Sequence, residues 1–402
     1  MLYVHRFIAL IAGLVVLYIG ITGTLLQSVD METLLTHAPA TDANLQAMRE
    51  HIDGPNNYAV ISASDYTARP LPTEFDYRAA LSQALAAAHA SMPGGAVRLL
   101  EWRMLDGRAA VHVQLDTQQR LFDASSGAEL SASQIPTDDP EVAGRALRNQ
   151  VKSLHKAQFI GRIGPIVNAV AGLALSVLII TGLVQYWRLL RARRKARRAA
   201  LFWRAGGWWR TLHRWGSLAA ALFLILVTLS GLALSLDCLG QYYNIAVAAR
   251  HHINAHDITR DVSSPLSDAE LPAMLETTLQ AYRSAMPGVG IRVLRLRYFS
   301  GMAQGVVIAD DPDTTQLVFS TAAGRQVSET EPGYPNTGFP LGWQGHETLK
   351  RIHRGDYFGM SGRWVEFIAG IAILYLSISG LKMYYDLWRR RRIAGRHGLF
   401  WH

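Results

Sequence analysis

Three long stretches of this chain carry no charge at all, and they decide what it can fold into. Phe7–Leu26, Ile163–Trp187 and Trp215–Leu236 each cover at least twenty consecutive positions. A helix of about 20 apolar residues crosses a hydrocarbon layer roughly 30 Å thick, so each run predicts a membrane-spanning helix. A fourth run, Phe367–Leu381, is shorter and is bounded by Glu366 and Lys382. Trp364, Tyr384, Tyr385 and Trp388 flank it as interface aromatics, and Lys382 can extend its ammonium to the boundary. It is read as the fourth span. The first run is too long for a secretory signal and no small-residue cleavage site follows it, so a retained anchor is expected.

The net charge of +9 divides along the same lines. Arg188–Arg214 holds ten Lys/Arg and no acid, Arg389–Arg396 holds five arginines, and Arg6 adds one. The rest of the chain is mildly acidic. Basic clusters beside spans mark the cytoplasmic side, which places both termini and the 188–214 loop there and segments 30–155 and 240–350 opposite. A pI raised in this way does not point to nucleic acid; anionic lipid headgroups are the partners expected for these arginines. Cys238 is the only cysteine, which excludes an internal disulfide.

The chain is written twice. The interval from His5 to the pair Thr22-Gly23 equals the interval from His213 to Ser230-Gly231. A second, longer interval also recurs, from His155 to Thr181-Gly182 and from His353 to Ser379-Gly380. Glycines follow the second and fourth histidines at the same two places in "SLHKAQFIGRIG" and "RIHRGDYFGMSG", as Gly161 and Gly164 and as Gly359 and Gly362. Asn168 and Glu366 fall equally far beyond His155 and His353. The intervening segments repeat as well. Each has a helical pattern ending at Met-Pro-Gly, then alternating strands, then a hairpin-like return. The predicted fold is a membrane α-helical bundle of four spans, made of two helix–module–helix repeats, with two small α+β modules.

By this topology His5 and His213 lie at one face of the membrane, and His155 and His353 at or just outside the other. Facing side chains inside a four-helix bundle are common cofactor ligands. Two neutral imidazoles from opposite sides suit a six-coordinate bis-histidine haem and electron transfer. Zinc calls for three or four ligands, and no cysteine or carboxylate stands near these histidines; copper would lack its usual sulfur ligand. Gly13, Gly20, Gly172, Ala219 and Gly370 would admit a flat macrocycle and suit tight helix packing equally. Arg6, Arg214, Arg162 and Arg363 lie near the histidines as partners for haem propionates. His346, on a similar helical face to His353, is a reserve ligand. His251, His252 and His256 in "HHINAHD" read as a solvated loop. Asn168 and Glu366, polar at membrane depth, are candidates for function or for helix packing. No Ser-His-Asp order, phosphate loop, nicotinamide fingerprint or HExxH motif is present, which argues against hydrolase, ATPase and dehydrogenase chemistry.

The "LHRW(G)…(T/S)G" helices, the "LH…G…G" helices and the Met-Pro-Gly modules resemble the PepSY-associated transmembrane helix family over nearly the whole chain. Within it the chain looks most like FoxB-type inner-membrane ferric-siderophore reductases of Gram-negative bacteria. The resemblance implies a b-type haem pathway that carries electrons outward to reduce Fe(III)-siderophore in the periplasm, and the two histidine pairs predict two haems per chain. Siderophores, hard oxygen chelators, hold Fe(II) far more weakly, so reduction releases iron. A cytoplasmic reductase or quinol would supply the electrons. His5 and His213 would then ligate a cytoplasmic haem, and His155 and His353 a periplasmic one, with substrate in a space between the two modules.

The segmentation that follows is helix 1 at 1–29, PepSY-like module 1 at 30–155, helix 2 at 156–188 and a basic loop at 189–212. Helix 3 spans 213–237, module 2 spans 238–352, helix 4 spans 353–388, and a tail covers 389–402. Two other function classes fit parts of this pattern. One is a non-catalytic PepSY-type binding or peptidase-regulating module anchored by four helices. The other is a permease, against which stand unbroken helices and a parallel repeat.

Overall fold

The structure is a computed structural model that describes residues 2–39, 41–49, 63–135, 146–197, 200–204, 206–250, 264–299, 302–311, 314, 316–327 and 338–398. The loop histidines His251, His252 and His256 lie outside the described residues. Two compact units emerge: one combines 1–32, 148–243 and 346–402, the other 33–147 and 244–345.

The first unit is helical. Among the described residues four helices are long and apolar enough to cross a membrane, Leu2–Leu35, Gly164–Lys195, Ala221–Arg250 and Gly359–Ile393, and most of their length lies in this unit. This is a multi-pass membrane protein. Each span continues past its apolar run, because a helix whose backbone is already hydrogen-bonded needs apolar side chains only inside the bilayer. The first therefore extends to Leu35 rather than 29, and carries Asp30 with it. The third is preceded by an amphipathic helix, Trp208–Ala219, which holds His213 and breaks only at Ala220. Glycines bring the spans together. A methyl on Gly20 would meet Ile373 at 3.0 Å, one on Gly370 would meet Thr24 Oγ1 at 2.6 Å, and one on Gly172 would meet Leu232 at 3.1 Å. Those three glycines are used in packing span against span.

Short helices lead into the second and fourth spans: Leu147–His155 and Gly342–Arg354. The repeated glycines explain how the chain turns between each short helix and its span. Gly161 and Gly359 take positive φ, 59° and 58°. Gly164 and Gly362 lie so close to the preceding backbone that a Cβ would sit 2.5 Å from Ala157 O and 2.1 Å from Gly355 O. One glycine supplies the left-handed turn and the other the close approach.

The second unit is built on a single antiparallel sheet of eight strands in the order β4-β3-β2-β1-β5-β6-β7-β8. The strands are β1 Val97–Leu105, β2 Arg108–Leu115, β3 Gln118–Asp123 and β4 Glu129–Leu130 from the first repeat. The second repeat gives β5 Ile291–Phe299, β6 Met302–Ala309, β7 Leu317–Ser320 and β8 Arg325–Val327. The two predicted modules are joined along β1 and β5, from Leu99↔Arg297 to Arg103↔Val293. Where a space between modules was expected, backbone hydrogen bonds run from one to the other.

Helices Tyr77–Ser91 and Leu271–Ala285 share the sheet's apolar core with Leu100, Trp102, Leu294 and Leu296. Both end where Met-Pro-Gly begins: proline cannot continue a helix, and Gly94 and Gly288 take positive φ, 80° and 78°. The alternate residues of β1 and β5 carry charge. Glu101 and Arg103 meet Arg295 and Asp65 in a buried network, with Arg103–Asp65 at 2.6 Å and Arg103–Glu101 at 3.1 Å. Burial alone would raise the Glu101 carboxyl, but Arg295 and Arg103 hold it down to about 2. A shared apolar core on one face and an ion network on the other fasten the two repeats.

Candidate functional site

Each histidine picked out by the repeat meets a hydroxyl on the other span of its own repeat. His5 Nδ1 lies 2.8 Å from Thr181 Oγ1, and His155 Nδ1 lies 3.1 Å from Thr22 Oγ1. In the second repeat His213 Nδ1 is 2.7 Å from Ser379 Oγ and His353 Nδ1 is 3.1 Å from Ser230 Oγ. The bonds are reciprocal, so each antiparallel helix pair is tied once near each end. The two repeated intervals thus mark one ligand candidate and one anchor on every helix.

The anchors fix the imidazole tautomer. Each hydroxyl also reaches a carbonyl one turn back on its own helix: Thr181 to Val177 at 2.6 Å, Thr22 to Tyr18 at 3.0 Å, Ser230 to Leu226 at 2.8 Å and Ser379 to Leu376 at 3.2 Å. A hydroxyl has one proton. Once that proton goes to the carbonyl, the oxygen is left to accept from Nδ1–H. At His353 the choice is settled directly, because Nδ1 is also 3.1 Å from Val227 O, and a carbonyl can only accept. With Nδ1 carrying the proton, each Nε2 keeps a lone pair for a metal.

The repeats then bring the histidines together in twos. The rings of His155 and His353 have centroids 6.4 Å apart and planes 23° from parallel. His5 and His213 line one cavity of about 270 Å³, walled mostly by apolar side chains such as Val16, Leu178 and Leu381 and by Gly13, Gly182 and Gly380, with Gln185, Arg214 and Ser217 also on its wall. Among the described residues, no three His, Cys, Asp or Glu side chains gather as a metal site. Ligation here would rest on pairs.

The remaining candidates are placed as follows. Asn168 Nδ2 donates to His155 O at 3.1 Å, closing the helix that carries that histidine. Glu366, its repeat equivalent, is buried with Oε2 unpartnered. His346 does not join His353; its Nδ1 lies 3.0 Å from Asp237 Oδ2, both groups buried. Burial lowers the His346 pKa, opposed by Asp237. Arg363 is buried between Asp30 at 3.3 Å and Asp356 at 2.6 Å, so protein carboxylates occupy the guanidinium expected to meet a cofactor's. Arg162 is exposed. Arg214 lines the cavity and stacks 4.7 Å over Trp203, which Arg193 covers at the same distance. Arg6 neighbours Arg210 and Arg391.

Two groups escaped the sequence reading, and its own intervals pointed at the first of them. The Thr/Ser of each Thr/Ser-Gly pair served there only as a landmark, and Asp30 was assigned outside the first helix. Asp30 is buried beside Arg148, with Oδ1 2.7 Å from Nε.

A family model described as PepSY-associated TM region matches residues 2–387. The chain belongs to that family. The match takes in all four histidines and all four hydroxyl anchors. No curated protein matches the chain.

Proposed function

We propose that this PepSY-associated membrane protein is a ferric-siderophore reductase of the bacterial inner membrane that holds two haems b. Its termini and 188–214 loop face the cytoplasm by their positive charge, and the sheet unit is periplasmic. Electrons from a cytoplasmic reductase or quinol pass outward, and each reduces one Fe(III)-siderophore to Fe(II), which the hard oxygen donors release.

The observation that carries this reading is the His155–His353 pair. His155 and His353 would supply the two imidazole nitrogens that hold the group. These rings stand 6.4 Å apart and nearly parallel. Both have Nδ1 tied back by Thr22 and Ser230, so Nε2 is the free ligand atom. The apolar, glycine-sided cavity between His5 and His213 suits the flat body of the same group. When bound, haem supplies one-electron transfer. The chain's part is to hold the imidazoles in one tautomer, exclude water with apolar walls and keep two sites at two depths. The reading assigns no side chain a proton transfer.

An absorption spectrum of the full chain, purified in detergent from haem-sufficient cells, tests this. The expected result is a low-spin haem b spectrum with two haems per chain, reduced to one by His155→Ala or His353→Ala. Colourless protein would overturn the reading and favour a non-catalytic binding module.

A further inference from the structure

Each ring is anchored within its own repeat, so something else must hold the two rings of the His155–His353 pair at one spacing. The hold starts at Asp30, buried on the first span beyond its apolar run. Its carboxylate meets Arg148, with Oδ1 2.7 Å from Nε and Oδ2 3.3 Å from Nη2. Arg148 stands about two turns before His155 on the same short helix. The same Oδ2 also accepts from Arg363 Nη1 at 3.3 Å.

Arg363 belongs to the other repeat, near the start of the fourth span. Its Nη2 meets Asp356 at 2.6 Å, and Asp356 meets Arg354, the residue after His353. Gln27, about one turn before Asp30, donates Nε2 to Arg363 O at 3.1 Å. The first span also carries Thr22 and Gly23, which touch the His155 ring. One carboxylate therefore gathers the helix of His155, the span that seats its ring, and the turn that follows His353.

The tie is not needed to make that turn. Counted from the histidines, Pro165 stands in the first repeat where Arg363 stands in the second, and both repeats turn on the same two glycines. The arginine is an addition that serves contact between repeats. Its planar fork presents donors in a fixed array and can serve two carboxylates at once. Asp30, Arg148 and Arg363 are all buried, and charge-assisted bonds of this kind fix geometry as well as adding energy.

We infer that Asp30 and Arg363 are positioning residues for the His155–His353 pair. Together they set how far apart, and at what angle, the two repeats present their rings. The brace is a property of the chain; its effect on a bound haem rests on the function proposed above.

Two variants of the full-length chain test this. Arg363→Gln cuts the tie between repeats and leaves Asp30 with Arg148. Arg363→Lys keeps the charge but replaces the fork with a single ammonium that cannot span both carboxylates; should the Gln variant fail to accumulate, the Lys variant decides. The first readout needs no haem. A Cβ on Gly370 would stand 3.5 Å from Thr24 Cβ, within disulfide range. Thr24→Cys/Gly370→Cys in a Cys238→Ser chain thus reports the gap between the first and fourth spans as a rate of disulfide formation. Both Arg363 variants should slow it by about tenfold, the size of one charge-assisted hydrogen bond. The second readout is the ferric EPR spectrum of the haem-loaded chain, which follows the angle between axial imidazole planes, 23° between these rings. Both variants should shift the signal of the haem held by His155 and His353 and leave the other haem's signal in place. A signal unmoved in both variants would mean that Arg363 acts by charge or packing alone, and overturns the inference. Disulfide formation at the wild-type rate in both overturns it as well. A chain that binds no haem overturns the haem reading, and the disulfide rate in that chain still decides for or against the brace.

Discussion

The His155–His353 pair and the His5–His213 pair are assembled from the same parts and packed to different tolerances. Each ring is anchored through Nδ1 to a Thr or Ser, and each of those is followed by glycine. Against His155 and His353 that glycine leaves no slack: a Cβ on Gly23 or Gly231 would stand 2.9 Å from the ring Cε1. Against His5 and His213 a Cβ on Gly182 or Gly380 would stand at 3.6 and 3.7 Å, ordinary contact distances. The second pair also borders a cavity of about 270 Å³. One motif therefore does two jobs. In one place the missing side chain is a steric condition for placing the ring, and in the other it only widens a chamber.

The largest effect should come from adding the missing methyl. Gly23→Ala or Gly231→Ala forces ring or helix to move, at a cost of about 1–3 kcal/mol for overpacking, and on the proposed haem-binding reading should cut bound haem from two per chain to one. Gly182→Ala and Gly380→Ala should keep both. Equal loss from all four substitutions, read as haem per chain, would erase the contrast.

Removing the anchors should have a smaller and differently ordered effect. Ser379→Ala leaves His213 Nδ1–H without its 2.7 Å partner, and an unmet buried donor costs about 1–3 kcal/mol. Ser230→Ala leaves His353 still bonded to Val227 O, so its cost should be nearer the roughly 1 kcal/mol of one exchanged hydrogen bond. If the proposed haems are bound, their midpoint potentials should move more for Ser379→Ala than for Ser230→Ala; the reverse order would mean that the carbonyl does not hold the tautomer.

The smallest effect concerns pH and separates the two repeats. Asp237 is paired with His346, where Asp30 has Arg148. Because burial lowers the His346 pKa, the folded state resists a proton that the unfolded chain accepts. The sign is therefore stability present above the ordinary histidine value of about 6.5 and lost as pH falls below it. Arginine stays charged throughout this window. Melting temperature should fall less between pH 7 and pH 5 in His346→Gln than in the wild type. An unchanged slope would show that His346 does not contribute.

Much of this arrangement was legible in the sequence. The spans followed from uncharged length, and the duplication followed from intervals that agree without adjustment. The paired glycines after His155 and His353 were visible as a pattern before their turn and close-approach roles were known. What sequence could not supply were partnerships between distant segments. Whether a β1 edge meets solvent or β5 depends on a strand from the other half of the chain, and the alternation of Leu100, Glu101 and Trp102 is the same in either case. His346 looked like a ligand because it shares a face with His353, and nothing local reveals that Asp237 reaches it first. Asp30 looked like a boundary because charge normally ends a span, and only the facing Arg148 makes it tolerable inside.

The strand that joins the repeats also orders the protein's assembly. Leu99 of β1 is paired in register with Arg297 of β5, and the second and third spans lie between them in the chain. A ribosome releasing this chain thus delivers β1 long before its partner exists, and both spans must be synthesised before the ladder can close. During that interval β1 is an open edge, the kind of surface that recruits foreign strands, and its non-local closure is slow by nature. Assembly of this protein is therefore exposed to aggregation at a predictable moment, after the first four strands are made and before β5 emerges.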